Sequence, residues 1–104
     1  MAKNFVSSGE TQDFIAPAGG ADAGVPVTIN DLVLIPVTGG LEGDTLVGHI
    51  SGEWRVKADG ALKKGQKVSV KAGVLVAPAT ADSVPFGKLT SDMVSNVATA
   101  LLIP

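Results

Sequence analysis

The 104-residue sequence contains no cysteine and no tyrosine, and only one tryptophan, three phenylalanines and one histidine. The missing thiols exclude disulfides, thiolate metal centres and cysteine nucleophiles, and leave the redox compartment open. One histidine cannot build a His-rich metal site. Aromatic rings usually dominate sticky binding faces, so their scarcity argues against an aromatic-lined ligand pocket. No apolar run approaches the ~18–20 residues of a membrane-spanning helix, so no membrane association is expected. The opening Met1–Glu10 lacks the apolar stretch of a secretory signal. Charge of one sign is also scarce. Eight Lys+Arg against ten Asp+Glu leave a net charge of −2, a poor footprint for nucleic acid. No glycine-rich phosphate loop and no serine nucleophile elbow occurs, and no internal repeat is visible. The residues point to a binding or structural domain with no catalytic residues, no cofactor and no metal, not to an enzyme.

What is abundant is small and branched. Valine (14), leucine (9) and isoleucine (5) supply 28 of the 47 hydrophobic residues, and alanine adds 13. Glycine and proline together contribute 19 residues. Valine interrupted this often by Gly and Pro reads as short strands joined by turns. The length predicts one domain with a modest core.

The strand expectations follow from alternation. Thr11–Ala16 reads as a short strand broken by Pro17-Ala18-Gly19-Gly20. Val25, Val27 and Ile29 share one face, while Pro26 denies a ladder donor and marks an edge strand or a strand start. Asn30-Asp31 then turns the chain into Leu32–Thr38, apolar nearly throughout, as expected of a strand covered on both faces. Thr45–Ser51 follows, with Gly48 marking a bulge or a close backbone approach. Glu53–Lys57 has the cleanest alternation, with Trp54 and Val56 inward and Glu53, Arg55 and Lys57 outward. Ala58–Gly65 reads as a turn region with room for one short helical turn through Leu62. Lys67–Lys71 and Val74–Ala77 form a hairpin about Ala72-Gly73. Pro85–Leu89 carries Phe86 inward. Ser91–Asn96 suits either a helical turn capped by Ser91 or a turn before the last strand. Val97–Ile103 is apolar and is placed to pair with an early strand. The predicted architecture is all-β: a compact β-sandwich or small β-barrel of about seven to nine short strands. Residues 1–10 read as an extended N-terminal arm and residues 11–104 as a single β domain.

Few residues invite chemistry. His49 sits among Leu46, Val47 and Ile50; it is either a strand histidine at a surface or interface, or a general base if a carboxylate lies near. The carboxylates sit mostly beside Gly, Asn, Ser or Thr, where they initiate turns, and Glu42-Gly43-Asp44 lacks the oxygen ladder of a calcium loop. Six of the eight positive charges, Arg55, Lys57, Lys63, Lys64, Lys67 and Lys71, fall in one stretch. They form either a basic face for an acidic partner or phosphate, or the solvated side of two alternating strands, where lysine also discourages edge pairing. No aromatics interleave them, so a single-strand nucleic-acid platform is not supported.

Several stretches carry a family resemblance. These are Met1-Ala2-Lys3-Asn4-Phe5-Val6, then Gly9-Glu10-Thr11, then Ala16-Pro17-Ala18-Gly19-Gly20, with Gly24-Val25-Pro26-Val27 and Gly52-Glu53-Trp54-Arg55-Val56 further on. The chain resembles the small head-decoration, or capsid cement, proteins of tailed bacteriophages and prophages. Its end departs from the alternating V-R-V-R-L common in the family, having Val97-Ala98-Thr99-Ala100-Leu101 instead, which leaves the last strand's surroundings open. The resemblance implies an all-β structural protein without catalysis or cofactor. It implies manufacture in the host cytoplasm and residence on the outer surface of the capsid in the virion, bound to the major capsid protein. A homo-oligomer, with a trimer favoured, is an expectation for the class. Lys3, Asn4, Phe5 and Val6 are then candidate capsid contacts, with Phe5 folded onto the chain's own core as the equal alternative, and the basic face a candidate docking surface.

Two other readings stand beside this one. Leu62-Lys63-Lys64-Gly65-Gln66-Lys67-Val68 admits a biotinyl- or lipoyl-like carrier or another small β-barrel binding module, but the nearest hairpin tip, Lys71-Ala72-Gly73, has no methionine beside its lysine. A small enzyme built on His49 and a carboxylate is the other.

Overall fold

The computed structural model describes residues 9–103. They form nine strands: β1 (Thr11–Ile15), β2 (Val27–Ile29), β3 (Leu32–Pro36), β4 (Thr45–His49), β5 (Gly52–Lys57), β6 (Lys67–Lys71), β7 (Val74–Val76), β8 (Val84–Leu89) and β9 (Val97–Leu102). No helix occurs among the described residues. The stretch between β5 and β6 is turn and loop, not a helical turn, although its Leu62 is buried. Two antiparallel sheets result, one of order β1-β4-β3-β2 and one of order β5-β9-β8-β6-β7.

Strand β3 joins the layers. Its Val33, Leu34 and Ile35 are all buried, so both of its faces are covered, as its unbroken apolar sequence demands. Val33 and Ile35 enter the main core with Val56, Val70, Phe86 and Leu102. Leu34 points the other way and packs with Phe14 and Leu46, flanked by Val27 and Ile29. Gly48 makes this second cluster possible. A β-carbon there would lie 2.8 Å from the Leu34 Cβ and 3.3 Å from the Phe14 ring, so of the two roles anticipated for this glycine it fills that of close approach.

The five-stranded sheet curls until its edges meet. Ala58, just past β5, bridges Leu75 of β7, and the Asp59 N–H donates to the Leu75 carbonyl at 2.9 Å. This contact covers part of the edges that a flat sheet would expose. The interior is filled by small branched side chains around one ring, Phe86. Full burial of such a side chain contributes roughly 1.5–3 kcal/mol.

Two local devices set the register. Between Val68 and Ser69 the pairing of β6 with β8 shifts, so that Val68 faces Gly87 while Ser69 faces Pro85. Phe86 is the extra residue, and the bulge lets both Phe86 and Leu89, three positions apart, point inward. The other device is the two-residue turn with both central residues left-handed, which matches strand twist. It closes β6–β7 at Ala72 (φ 51°) and Gly73 (φ 80°), and precedes β9 at Ser95 (φ 52°) and Asn96 (φ 63°). The segment 91–96 is therefore a hairpin turn. The Ser91 hydroxyl oxygen accepts the Thr99 N–H at 3.0 Å instead of capping a helix.

The last strand differs from expectation. Strand β9 pairs with β5 and β8, not with an early strand. Only one of its faces is buried: Ala98, Ala100 and Leu102 point in, and Leu101 is exposed. Alanines at two inward positions let neighbouring large side chains fill the narrow interior.

Candidate functional site

The one histidine serves as a packing group at the joint between the sheets. His49 ends β4, and its ring centroid lies 5.1 Å from that of Trp54 at an interplanar angle of 43°. Such tilted aromatic pairs contribute about 0.5–1.5 kcal/mol beyond their burial. The Trp54 Nε1–H donates to the Ser51 carbonyl at 3.0 Å, tying the indole to the link that carries the chain from one sheet into the other. Val56 is buried as expected, whereas Trp54 is only half-buried against the core. Trp54→Ala is accordingly expected to cost about 2–3 kcal/mol, below the ~3–5 kcal/mol of an enclosed ring; a chemical-denaturation midpoint equal to wild type would remove Trp54 from the joint. No group of three or more His, Asp and Glu is placed to hold a metal ion among the described residues.

The six clustered cations lie in three places. Arg55 and Lys57 project from β5 beside a shallow depression that Asp22, Gly73 and Val74 also line. Lys71 ends β6 nearby, paired with Val74. Lys63 and Lys64 belong to the β5–β6 loop, where the Lys64 N–H donates to Asp92 Oδ1 at 2.8 Å. Lys67 stands at the far end of β6, directly opposite Lys88 of β8. All six side chains are exposed. Sequence reading left Lys88 out. Strict alternation from the inward Phe86 would turn Lys88 inward too, and it is the bulge that reverses it.

The hairpin tip Ala72-Gly73 does not protrude. A β-carbon at Gly73 would lie 2.8 Å from Val25 Cγ1, so the tip rests against the loop before β2, an arrangement unlike the projecting tip that a carrier domain presents to its modifying enzyme.

One group of exposed apolar side chains lies on the four-stranded sheet. The face that β3 lays on the main core continues across β4 and β1. The cross-strand bond from the Val37 N–H to the Val47 carbonyl (2.9 Å) extends the β3–β4 pairing one step. There Ile15, Val37 and Val47 are 57%, 52% and 41% exposed. Strand β1 is also the edge of its sheet. Its Glu10 and Ala16 bond inward, to Ile50 and Asp44, so the alternate residues Thr11, Asp13 and Ile15 turn their N–H and C=O groups to the open side. The described chain enters the fold at this edge. Lys3, Asn4, Phe5 and Val6 lie outside the described residues.

A family model described as phage cement protein matches residues 6–103. The chain belongs to that family. Comparison with curated proteins and with solved structures returns no match. Family membership makes this a structural protein of the phage capsid, and the all-β build of the described residues agrees with what the sequence resemblance implied. A cement protein needs surfaces for partners and not a catalytic pocket. The Ile15–Val37–Val47 face and the separated lysine groups are exposed.

Proposed function

We propose that this cement protein binds the outside of the assembled head and stabilises the shell by bridging neighbouring major capsid protein subunits. The observation that carries this reading is the arrangement at β1. One strand joins residues 1–10, a sheet edge that no strand of the described residues pairs, and a face on which Ile15, Val37 and Val47 are exposed. Residues 1–10 act as the attachment arm, with Lys3, Asn4, Phe5 and Val6 as its contacts, and residues 11–104 as the body that spans the gap. An extended arm adds main-chain hydrogen bonds to a partner's sheet edge while an apolar side chain such as Phe5 fills a pocket. Bridging multiplies weak contacts, since simultaneous engagement raises effective affinity by ~10²–10⁴. Self-association into a homo-oligomer, a trimer by class expectation, would repeat each contact by symmetry.

The test is to mix purified protein with undecorated heads of the encoding phage and image the product. Wild type should decorate the heads and raise the temperature at which they rupture. A chain lacking residues 2–8 should keep its own melting temperature and lose binding. If it still decorates at full occupancy, the arm has no part in attachment; if its melting temperature falls by several degrees, Phe5 serves the chain's own core.

A further inference from the structure

We propose that the groove between the end of β9 and the 77–83 loop, guarded by Lys67 and Lys88, receives an acidic segment of a protein partner, one carboxylate seated between the two ammonium groups and an adjacent apolar side chain on the floor. The proposal rests on the capsid-decoration reading and assigns it a second contact surface, away from β1. The groove holds about 420 Å³. Pro78, Ala79, Pro85 and Ile103 line its apolar part, the two lysines its rim, and no acidic side chain lines it. The Ile103 N–H donates to the Phe86 carbonyl at 2.9 Å, which fixes the end of the chain along the groove.

Three observations carry the assignment. First, Lys67 and Lys88 are directly opposed across β6 and β8, an arrangement that costs stability, and neither has an ion-pair partner among the described residues. Second, lysines that guard a sheet from aggregation belong on edge strands; Lys88 is paired on both sides, with Lys67 of β6 and Leu101 of β9, so it guards no edge, while Lys67 lies beyond the stretch of β6 that β7 pairs and opens onto the groove. Third, the wall is held in a costly shape. Ala79 and Asp82 adopt φ of 66° and 61°, and the loop is pinned by the Thr80 hydroxyl donating to the Ala77 carbonyl and the Ser83 hydroxyl to the Thr80 carbonyl, both at 2.6 Å. Backbone strain of this kind persists where the surroundings hold it, and Ala79 is part of the groove's lining. The chemistry favours a carboxylate over a nucleic-acid phosphate backbone. The floor is apolar, no aromatic ring offers a stacking surface, and the chain's net charge is −2.

The experiment measures binding of full-length variants to undecorated heads across a salt series, with melting curves of the free proteins alongside. Lys67→Glu places opposite charges across β6 and β8. It should hold or raise the melting temperature while weakening binding about tenfold at low salt. The double variant Lys67→Glu/Lys88→Glu should weaken it further and flatten the salt dependence. Wild-type affinity and salt slope in the double variant, with wild type binding normally, would overturn the groove assignment and leave the decoration reading standing. Failure of wild type to bind heads at all would overturn both. Binding of short duplex DNA that the same double variant loses would give the groove to phosphate and overturn the acidic-segment proposal.

Discussion

Phe86→Ala is expected to cost about 3–5 kcal/mol, the range for truncating an enclosed aromatic ring. Phe86 is completely buried and is the one ring in the main core cluster apart from the half-buried Trp54. Three residues of the same interior, Ala58, Ala98 and Ala100, are short. Short side chains cannot reach across the space that a lost ring leaves, so the cavity would stay open and the penalty should fall toward the upper end. In a domain of this size such a loss corresponds to a fall of roughly 15–30 °C in Tm. Calorimetry on the purified variant checks it, and Phe86→Leu, which keeps most of the volume, should recover more than half. A shift of only a few degrees for the alanine variant would mean that the closed sheet does not depend on its central ring.

Gly87→Ala should be nearly as damaging for a different reason. A β-carbon at Gly87 falls inside the contact distance of the Leu101 carbonyl oxygen, a backbone atom that cannot rotate away. Strand β8 would have to separate from β9 where Gly87 pairs with Leu102. The expected cost is about 3 kcal/mol or more, the upper end of overpacking effects. Gly60→Ala separates this steric cause from a conformational one. Gly60 has φ 95° with nothing within 4 Å of an added β-carbon, so its cost should stay near 1 kcal/mol. Equal losses at the two positions would contradict the steric account.

Much of the strand pattern was legible because each strand answers to local rules. The alternation in Glu53–Lys57 places Val56 in the core and Arg55 and Lys57 outside. The Asn30-Asp31 and Ala72-Gly73 pairs turn where two-residue hairpins need them. The unbroken apolar run of β3 is buried on both faces. Where alternation is interrupted, sequence reading loses its footing. In β8, Phe86 and Leu89 are both inward and Lys88 outward, a pattern of period three that makes sense only once β6 is known to oppose it with a register shift. That shift conceals the Lys67–Lys88 pair from any inspection of the chain alone.

The candidate surfaces divide the same way. The arm contacts and the clustered cations could be named from composition, because a phenylalanine in a polar stretch and six cations between residues 55 and 71 are visible without coordinates. Which cations are neighbours was not visible, since Arg55 and Lys67 belong to strands β5 and β6, between which β9 and β8 intervene in the sheet order. The exposure of Ile15, Val37 and Val47 was equally hidden. Each reads as an ordinary strand hydrophobe, and only the tertiary structure shows it exposed.

The sequence by itself determined the all-β class, the positions of most strands and turns, the inward side of β5, and the kinship with capsid cement proteins. These rest on side-chain periodicity, turn chemistry and short motifs, which act over a few residues. Tertiary structure alone decided that β9 lies between β5 and β8, that the larger sheet closes through Ala58 and Leu75, and that Lys67 meets Lys88. These depend on pairings between residues 11 to 50 positions apart, which the small Ala98 and Ala100, the missing side chain of Gly87 and the bulge at Phe86 select together by allowing close approach at some places and forbidding it at others.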